Sequence, residues 1–182
     1  MPETTRRESL AAAKAARGGD EFVDFPIPGP NESVGSLRII EPIASGGMAT
    51  VYKVRHESLE VVRAMKILRP GCTRENRDRL LTEAKISANL HHPNIVQIYN
   101  VALWNSRVPY IEMEFINGPS LRDILADRQR IPFIVAAAIG SIICRALEFA
   151  GQQTFTVYGK QYHGLVHRDI KPANILVSSS GV

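Results

Sequence analysis

Residues 166–177 read VHRDIKPANILV, with His167, Arg168, Asp169, Lys171 and Asn174 held between apolar neighbours. Burying charge is costly unless it is paired or used, so such crowding calls for a cause. The spacing lets a loop aim Asp169 and Asn174 at one point: a carboxylate that accepts a proton and an amide oxygen that ligates a cation. Lys171 stands between them to meet negative charge. A base, a metal ligand and a cation within six residues are the parts that phosphoryl transfer requires.

Working outward, the 182-residue chain is 45% hydrophobic and 22% charged, the balance of an ordinary globular protein. Its net charge of +4 is modest, and much of the excess lies in RRESLAAAKAAR near the N-terminus rather than in a basic stripe interleaved with aromatics. No nucleic-acid partner is expected. Cys72 and Cys144 are far apart and lack metal-ligand spacing, which argues against a disulfide framework or a zinc site and fits a reducing, cytoplasmic setting. The longest uncharged run, IPFIVAAAIGSIIC (131–144), is too short for a bilayer and reads as a buried core helix. No membrane segment and no secretory signal are expected.

Three regions follow: a flexible leader (1–36), a sheet-rich unit (37–116) and a helical unit (117–182). The leader is rich in Pro, Gly and charge, and its RRES places Ser9 either as a phosphorylation site or in a solvated tail. From Leu37, the segments LRIIEPIA, TVYKVRH and LEVVRAMKIL read as three strands in meander order. TRENRDRLLTEAKISANL reads as a helix with Thr73 as N-cap. Two more strands, IVQIYNVALW and VPYIEMEFI, complete a five-stranded antiparallel sheet. A helix capped by Ser120 and Asp123 and a long apolar helix over 132–150 come next. GQQTFTVYGKQY (151–162) reads as a solvated loop, with a protruding hairpin or a docking element as the alternatives.

Two residues in the sheet unit are out of place. On helical spacing Glu83 shares a face with Leu80, Ile86 and Leu90, and Lys66 sits in an otherwise apolar strand. Either they pair across sheet and helix or both reach solvent at element ends; spacing leaves both readings open. The turn IASGGMATVY lets backbone amides approach a phosphate, although hairpins use glycine routinely.

Together these features resemble the protein kinase signature set: IASGGMATV its glycine-rich loop, RAMK its phosphate-anchoring lysine, Glu83 that lysine's helix partner and VHRDIKPANILV its catalytic loop. The resemblance implies an α+β, protein-kinase-like fold, an N-lobe followed by an incomplete helical C-lobe. It also implies ATP and Mg2+ as cofactors and Ser/Thr hydroxyls of proteins as substrates. Lys66 would hold the α and β phosphates, paired with Glu83 in a salt bridge. Asp169 would be the catalytic base, Lys171 would steady the γ phosphate and Asn174 would bind magnesium. Ile43, Val51, Ala64 and Leu176 would wall the adenine. The loop from Ala44 through Ser45, Gly46, Gly47 and Met48 to Ala49 would cover the phosphates. Met113 would be the gatekeeper, the backbone of Glu114 and Ile116 would bond adenine, and Ser120 would reach the ribose. The lysine in DIKPAN is the serine/threonine flavour of the loop, and HHPNIV and GPSLRDIL look like the bacterial branch.

Ala44 and Ala49 stand where this pattern has glycines, which costs about 1–2 kcal/mol only if a left-handed backbone is needed there. The family's next motif, an Asp-Phe-Gly magnesium ligand, would lie beyond Val182, and ILVSSSGV reads as the first strand and turn of the hairpin leading to it. The expectation is therefore a kinase fragment, inactive by itself, with a noncatalytic nucleotide- or protein-binding module as the alternative.

Overall fold

The computed structural model describes residues 25–179. The Ser9 motif and the last three residues of ILVSSSGV lie outside them.

The sheet has six strands in the order β1-β2-β3-β4-β6-β5: β1 (Ser33–Val34), β2 (Leu37–Ser45), β3 (Ala49–His56), β4 (Val61–Leu68), β5 (Ile98–Trp104) and β6 (Val108–Met113). All pairings are antiparallel. Five strands were expected. The sixth, β1, pairs Val34 with Leu37 and Ser33 with Arg38, and Val34 is fully buried. The expected leader boundary after residue 36 thus falls inside a paired segment. Gly35 makes this tight return at φ +61°, where a Cβ would strike the Tyr110 hydroxyl.

Register decides which side chains meet. Val51 lies opposite Lys66, Lys53 opposite Ala64, Ala64 opposite Met113 and Lys66 opposite Ile111. Opposed residues share a face, so Val51, Ala64, Lys66 and Met113 look one way. Tyr52, Val54, Met65 and Ile67 look the other way, into the core with Leu37, Ile39 and Tyr110.

Helix α1 (Arg74–Ser87) begins at Thr73 as expected, through a reciprocal box: Thr73 Oγ1 accepts from the Asn76 amide, and Asn76 Oδ1 accepts from the Thr73 amide. It buries Leu80 and Ala84. Helix α2 (Leu121–Arg128) starts from the expected Ser120–Asp123 box.

Helix α3 (Phe133–Gln152) departs from expectation. Of its residues only Ala146 and Ala150 are buried, while Phe133 is 87% and Ile134 is 74% exposed. The reading of 131–144 as a buried core helix is therefore incorrect over its whole range, because none of those residues is buried and the described elements leave them uncovered. At twenty residues and with its apolar composition, α3 is long enough to cross a membrane by that criterion alone, although Arg145 and Glu148 interrupt its C-terminal half.

The expected loop at 151–162 is instead a hairpin, β7 (Thr154–Val157) with β8 (Lys160–His163). Tyr158 and Gly159 both take positive φ, as a two-residue hairpin turn of this twist requires. Alternation explains the outcome: Phe155 and Val157 are buried while Thr154 and Thr156 are exposed. Phe155 joins Leu90 and Ala150 in a second core, with Ile86, Ile95, Phe149 and Leu165 packed around it. Lys85 Nζ of α1 sits 3.8 Å from the Tyr158 ring centroid, so the hairpin also braces α1.

Candidate active site

After β8 the chain forms an exposed loop and a short 3-10 turn, Pro172–Asn174. It then runs back along the segment following β6. The Leu121 amide donates to Ile175 O, the Val177 amide to Pro119 O and the Ser179 amide to Asn117 O. Leu176 forms only an isolated bridge with Ser120, so the strand expected in ILVSSSGV is reduced to this pairing. The approach is close because residue 118 is glycine: a Cβ there would lie 1.9 Å from Val177 O. No local pattern marks Gly118, since its constraint comes from a segment nearly sixty residues away.

Asp169, Lys171 and Asn174 converge as expected. Lys171 Nζ lies 2.8 Å from Asp169 Oδ2, and Asn174 Nδ2 donates to both Asp169 Oδ2 and Asp169 O at 2.9 Å. The hydrogen bond from Lys171, then that from Asn174, hold the Asp169 carboxyl below the usual carboxylate range. Because Asn174 spends its Nδ2 on Asp169, its Oδ1 remains as an acceptor suited to a hard cation, which prefers oxygen ligands. The Asp169 amide donates to His167 Nδ1 at 3.3 Å, fixing the loop from within.

Lys66 and Glu83 do not pair. Glu83 Oε1 bonds Arg79 Nε at 2.9 Å, its side chain is 49% exposed, and Lys66 has no ion pair among the described residues. The stripe that α1 turns to the sheet runs through Leu80 and Ala84, which leaves Glu83 on its flank. The expected salt bridge is thus absent from this structure. An exposed pair one helical turn apart contributes little, so Arg79 is a weak rival for Glu83. The hydrogen bond and charge of Glu83, with Glu75 adding to them, favour the charged form of the Arg79 guanidinium. An open concavity lined by Glu75, Asp78, Arg79, Thr82 and Glu83 flanks this helix and includes none of the residues expected around adenine.

The remaining positions fit a nucleotide cleft in most respects. Val51, Ala64 and Met113 share the Lys66 face. Ile43 and Leu176 are large apolar side chains left about half exposed. The Glu114 amide donates to Gln97 O, while the Glu114 carbonyl and the Ile116 amide make no hydrogen bond among the described residues, leaving an acceptor and a donor for a base edge. In the glycine turn the Gly46 amide closes onto Ala49 O, and the Gly47 and Met48 amides are unpartnered among the described residues. Neither Ala44 nor Ala49 has a positive φ, so the alanines carry no backbone strain. Ser120 is the exception. Its buried hydroxyl donates to Asp123 Oδ2 at 2.6 Å and accepts from the Asp123 amide, so the cap takes the side chain expected at the ribose. The same bond lowers the Asp123 pKa.

The family model described as "Protein kinase domain" matches residues 37–182. The chain belongs to the protein kinase family. It is 35% identical over 147 residues to the probable serine/threonine-protein kinase CPE1738 of Clostridium perfringens, covering 79% of this chain and 20% of that protein. It is 36% identical over 151 residues to the serine/threonine-protein kinase PknB of Mycolicibacterium smegmatis, covering 77% and 22%. The chain thus spans about a fifth of the length of these curated relatives. Among solved structures, the PknI kinase domain of Mycobacterium tuberculosis superposes with a TM-score of 0.68 at 25% identity, covering 85% of this chain and 60% of the other. A curled antiparallel sheet followed by helices is therefore a partial protein-kinase fold, and the family in general uses ATP and Mg2+.

Proposed function

We propose that this chain supplies the nucleotide-binding lobe and catalytic loop of a serine/threonine protein kinase, which moves the γ-phosphate of ATP to Ser or Thr hydroxyls of protein substrates. The convergence of Asp169, Lys171 and Asn174 on one anchored loop carries the reading. Relatives named as kinases across this stretch do not favour the noncatalytic alternative. A reducing, cytoplasmic location belongs to the same proposal and rests on the sequence alone, with its two widely spaced cysteines.

The roles follow from the groups present. The Glu114 carbonyl and Ile116 amide orient the base between Ala64, Val51 and Leu176. The Gly47 and Met48 amides and the Lys66 ammonium meet the phosphates. Lys66 requires Glu83 to leave Arg79 if the two are to pair. Asn174 Oδ1 would hold magnesium, and the bound nucleotide and metal together supply the phosphoryl group and the neutralisation of its charge. Asp169, ionised at neutral pH, holds the substrate hydroxyl and receives its proton at a carboxylate oxygen as Lys171 turns from Oδ2 toward phosphate.

Calorimetric titration of ATP with Mg2+ into the chain should show binding that Lys66→Ala weakens by about tenfold or more. In the protein that carries the chain, Asp169→Asn should leave that binding intact and cut phosphate transfer to Ser/Thr by about 10²–10⁴-fold. Binding indifferent to Lys66, or transfer indifferent to Asp169, would overturn the reading.

A further inference from the structure

The four-residue link Arg69–Cys72, between β4 and α1, holds the glycine turn at three points. Arg69 Nη1 donates to Gly46 O at 3.1 Å, the Arg69 amide donates to Met48 O at 3.0 Å, and Cys72 Sγ donates to the same carbonyl at 3.1 Å. The Arg69 amide bond merely extends the β3–β4 ladder. The two side-chain bonds are an addition that neither the fold nor the glycine motif demands.

We propose that Arg69 is a positioning residue for nucleotide phosphates, acting through the glycine turn that it straps. This rests on the nucleotide-binding reading above. Two adjacent glycines make the turn costly to order: a Cβ on Gly47 would meet nothing within 4 Å, so packing does not restrain it. Ordering such a segment at the moment of binding subtracts from affinity, whereas restraining it beforehand does not. The strap engages the carbonyls of Gly46 and Met48, while the Gly47 and Met48 amides stay unpartnered among the described residues and open to a ligand. A row of donors is what an anionic phosphate needs. The exposed guanidinium also places a fixed positive charge against the turn. Because the link runs directly into the Thr73 cap, the strap ties the turn to the helix that carries Glu83.

Arg69→Met keeps the aliphatic stem and removes the donors, while Arg69→Lys keeps a charged donor group in place of the guanidinium fork. Both are surface changes that should preserve the fold, which far-UV circular dichroism checks. In the 182-residue chain, Arg69→Met should weaken ATP binding by about three- to tenfold, the range for losing one net hydrogen bond, and leave adenosine binding unchanged. Arg69→Lys should recover most of the loss. Independently of nucleotide, hydrogen exchange of the 45–50 amides should accelerate in Arg69→Met by at least about threefold. Unchanged ATP affinity, or equal losses for ATP and adenosine, would overturn the proposal. If the unsubstituted chain binds no ATP, the nucleotide reading itself fails and the strap is judged on exchange alone, where an unaltered rate at 45–50 refutes it.

Discussion

Replacing Gly118 with alanine should separate the catalytic loop from the segment that leads out of the sheet. Gly118 does not have a positive φ, so the backbone tolerates alanine and the effect is purely one of space. The new Cβ would lie 1.9 Å from Val177 O and 3.3 Å from the Ser179 amide nitrogen, with backbone on both sides and no flexible side-chain end to move aside. Restoring even the 3.0 Å limit requires the two segments to open by about 1.1 Å. An amide-to-carbonyl bond of 2.8–2.9 Å stretched by that much is lost, and three such bonds join 117–121 to 175–179. At about 1 kcal/mol net for each of the three bonds, and about 1–3 kcal/mol for forced overpacking, a loss of about 4–6 kcal/mol is expected. Urea denaturation of the chain, followed by tyrosine and tryptophan fluorescence, measures it. Exchange at the Leu121, Val177 and Ser179 amides locates it. Gly47→Ala serves as the control, since its Cβ enters open space. If Gly118→Ala costs under about 1 kcal/mol and these three amides stay as protected as before, the close approach does not hold the loop and the reasoning fails.

The hairpin core gives a second expectation. Phe155→Ala should cost about 3 kcal/mol, the low end for a buried phenylalanine because four of the residues packed in this small cluster (Ile86, Ile95, Phe149 and Leu165) are only partly buried, while the outward Thr156→Ala stays within about 0.5 kcal/mol in the same urea assay. The Asp169 cluster gives a third. Its lowered carboxyl pKa means that the ionised form is favoured by folding, so its contribution is present above the unfolded value and is lost as pH falls through the depressed folded value. Lys171→Ala should therefore raise the Asp169 pKa toward the ordinary carboxylate range in a carbon-13 NMR titration; an unmoved titration would remove Lys171 as its main cause.

The catalytic loop was legible because its charged residues have no structural use that would account for their crowding. Strands β2 to β6 announced themselves by runs of Val and Ile between turn residues, and Thr73 and Ser120 by their capping partners. Other features were hidden for identifiable reasons. Strand β1 is two residues long, too short to carry an alternation. The β7–β8 turn is Tyr-Gly, and the better-known Asn-Gly signal is absent although the backbone takes the same left-handed pair of conformations. Glu83 stands three residues from Leu80, about 60° around the helix, so spacing puts it at the edge of the buried stripe and cannot say on which side of that edge it falls. The helix settled with Leu80 and Ala84 inward and Glu83 facing Arg79. Contacts that join distant segments, such as Gly118 to Val177 and Arg69 to Gly46, leave no local trace at all.

The shared face of Val51, Ala64, Lys66 and Met113 makes the cleft sensitive to the number of residues in a strand more than to their kind. Many substitutions in β4 would leave Lys66 facing the cleft. Inserting or deleting one residue between the turn after β3 and Lys66 would instead send the lysine among Tyr52, Met65 and Ile67, since a single step of register exchanges the two faces. A two-residue change would restore the face but carry the ammonium about 7 Å along the strand, beyond reach of its former position. Length variation in this part of the chain should therefore collect in the exposed β3–β4 turn around Ser58 and Leu59, compensated there, and be absent from β4 itself.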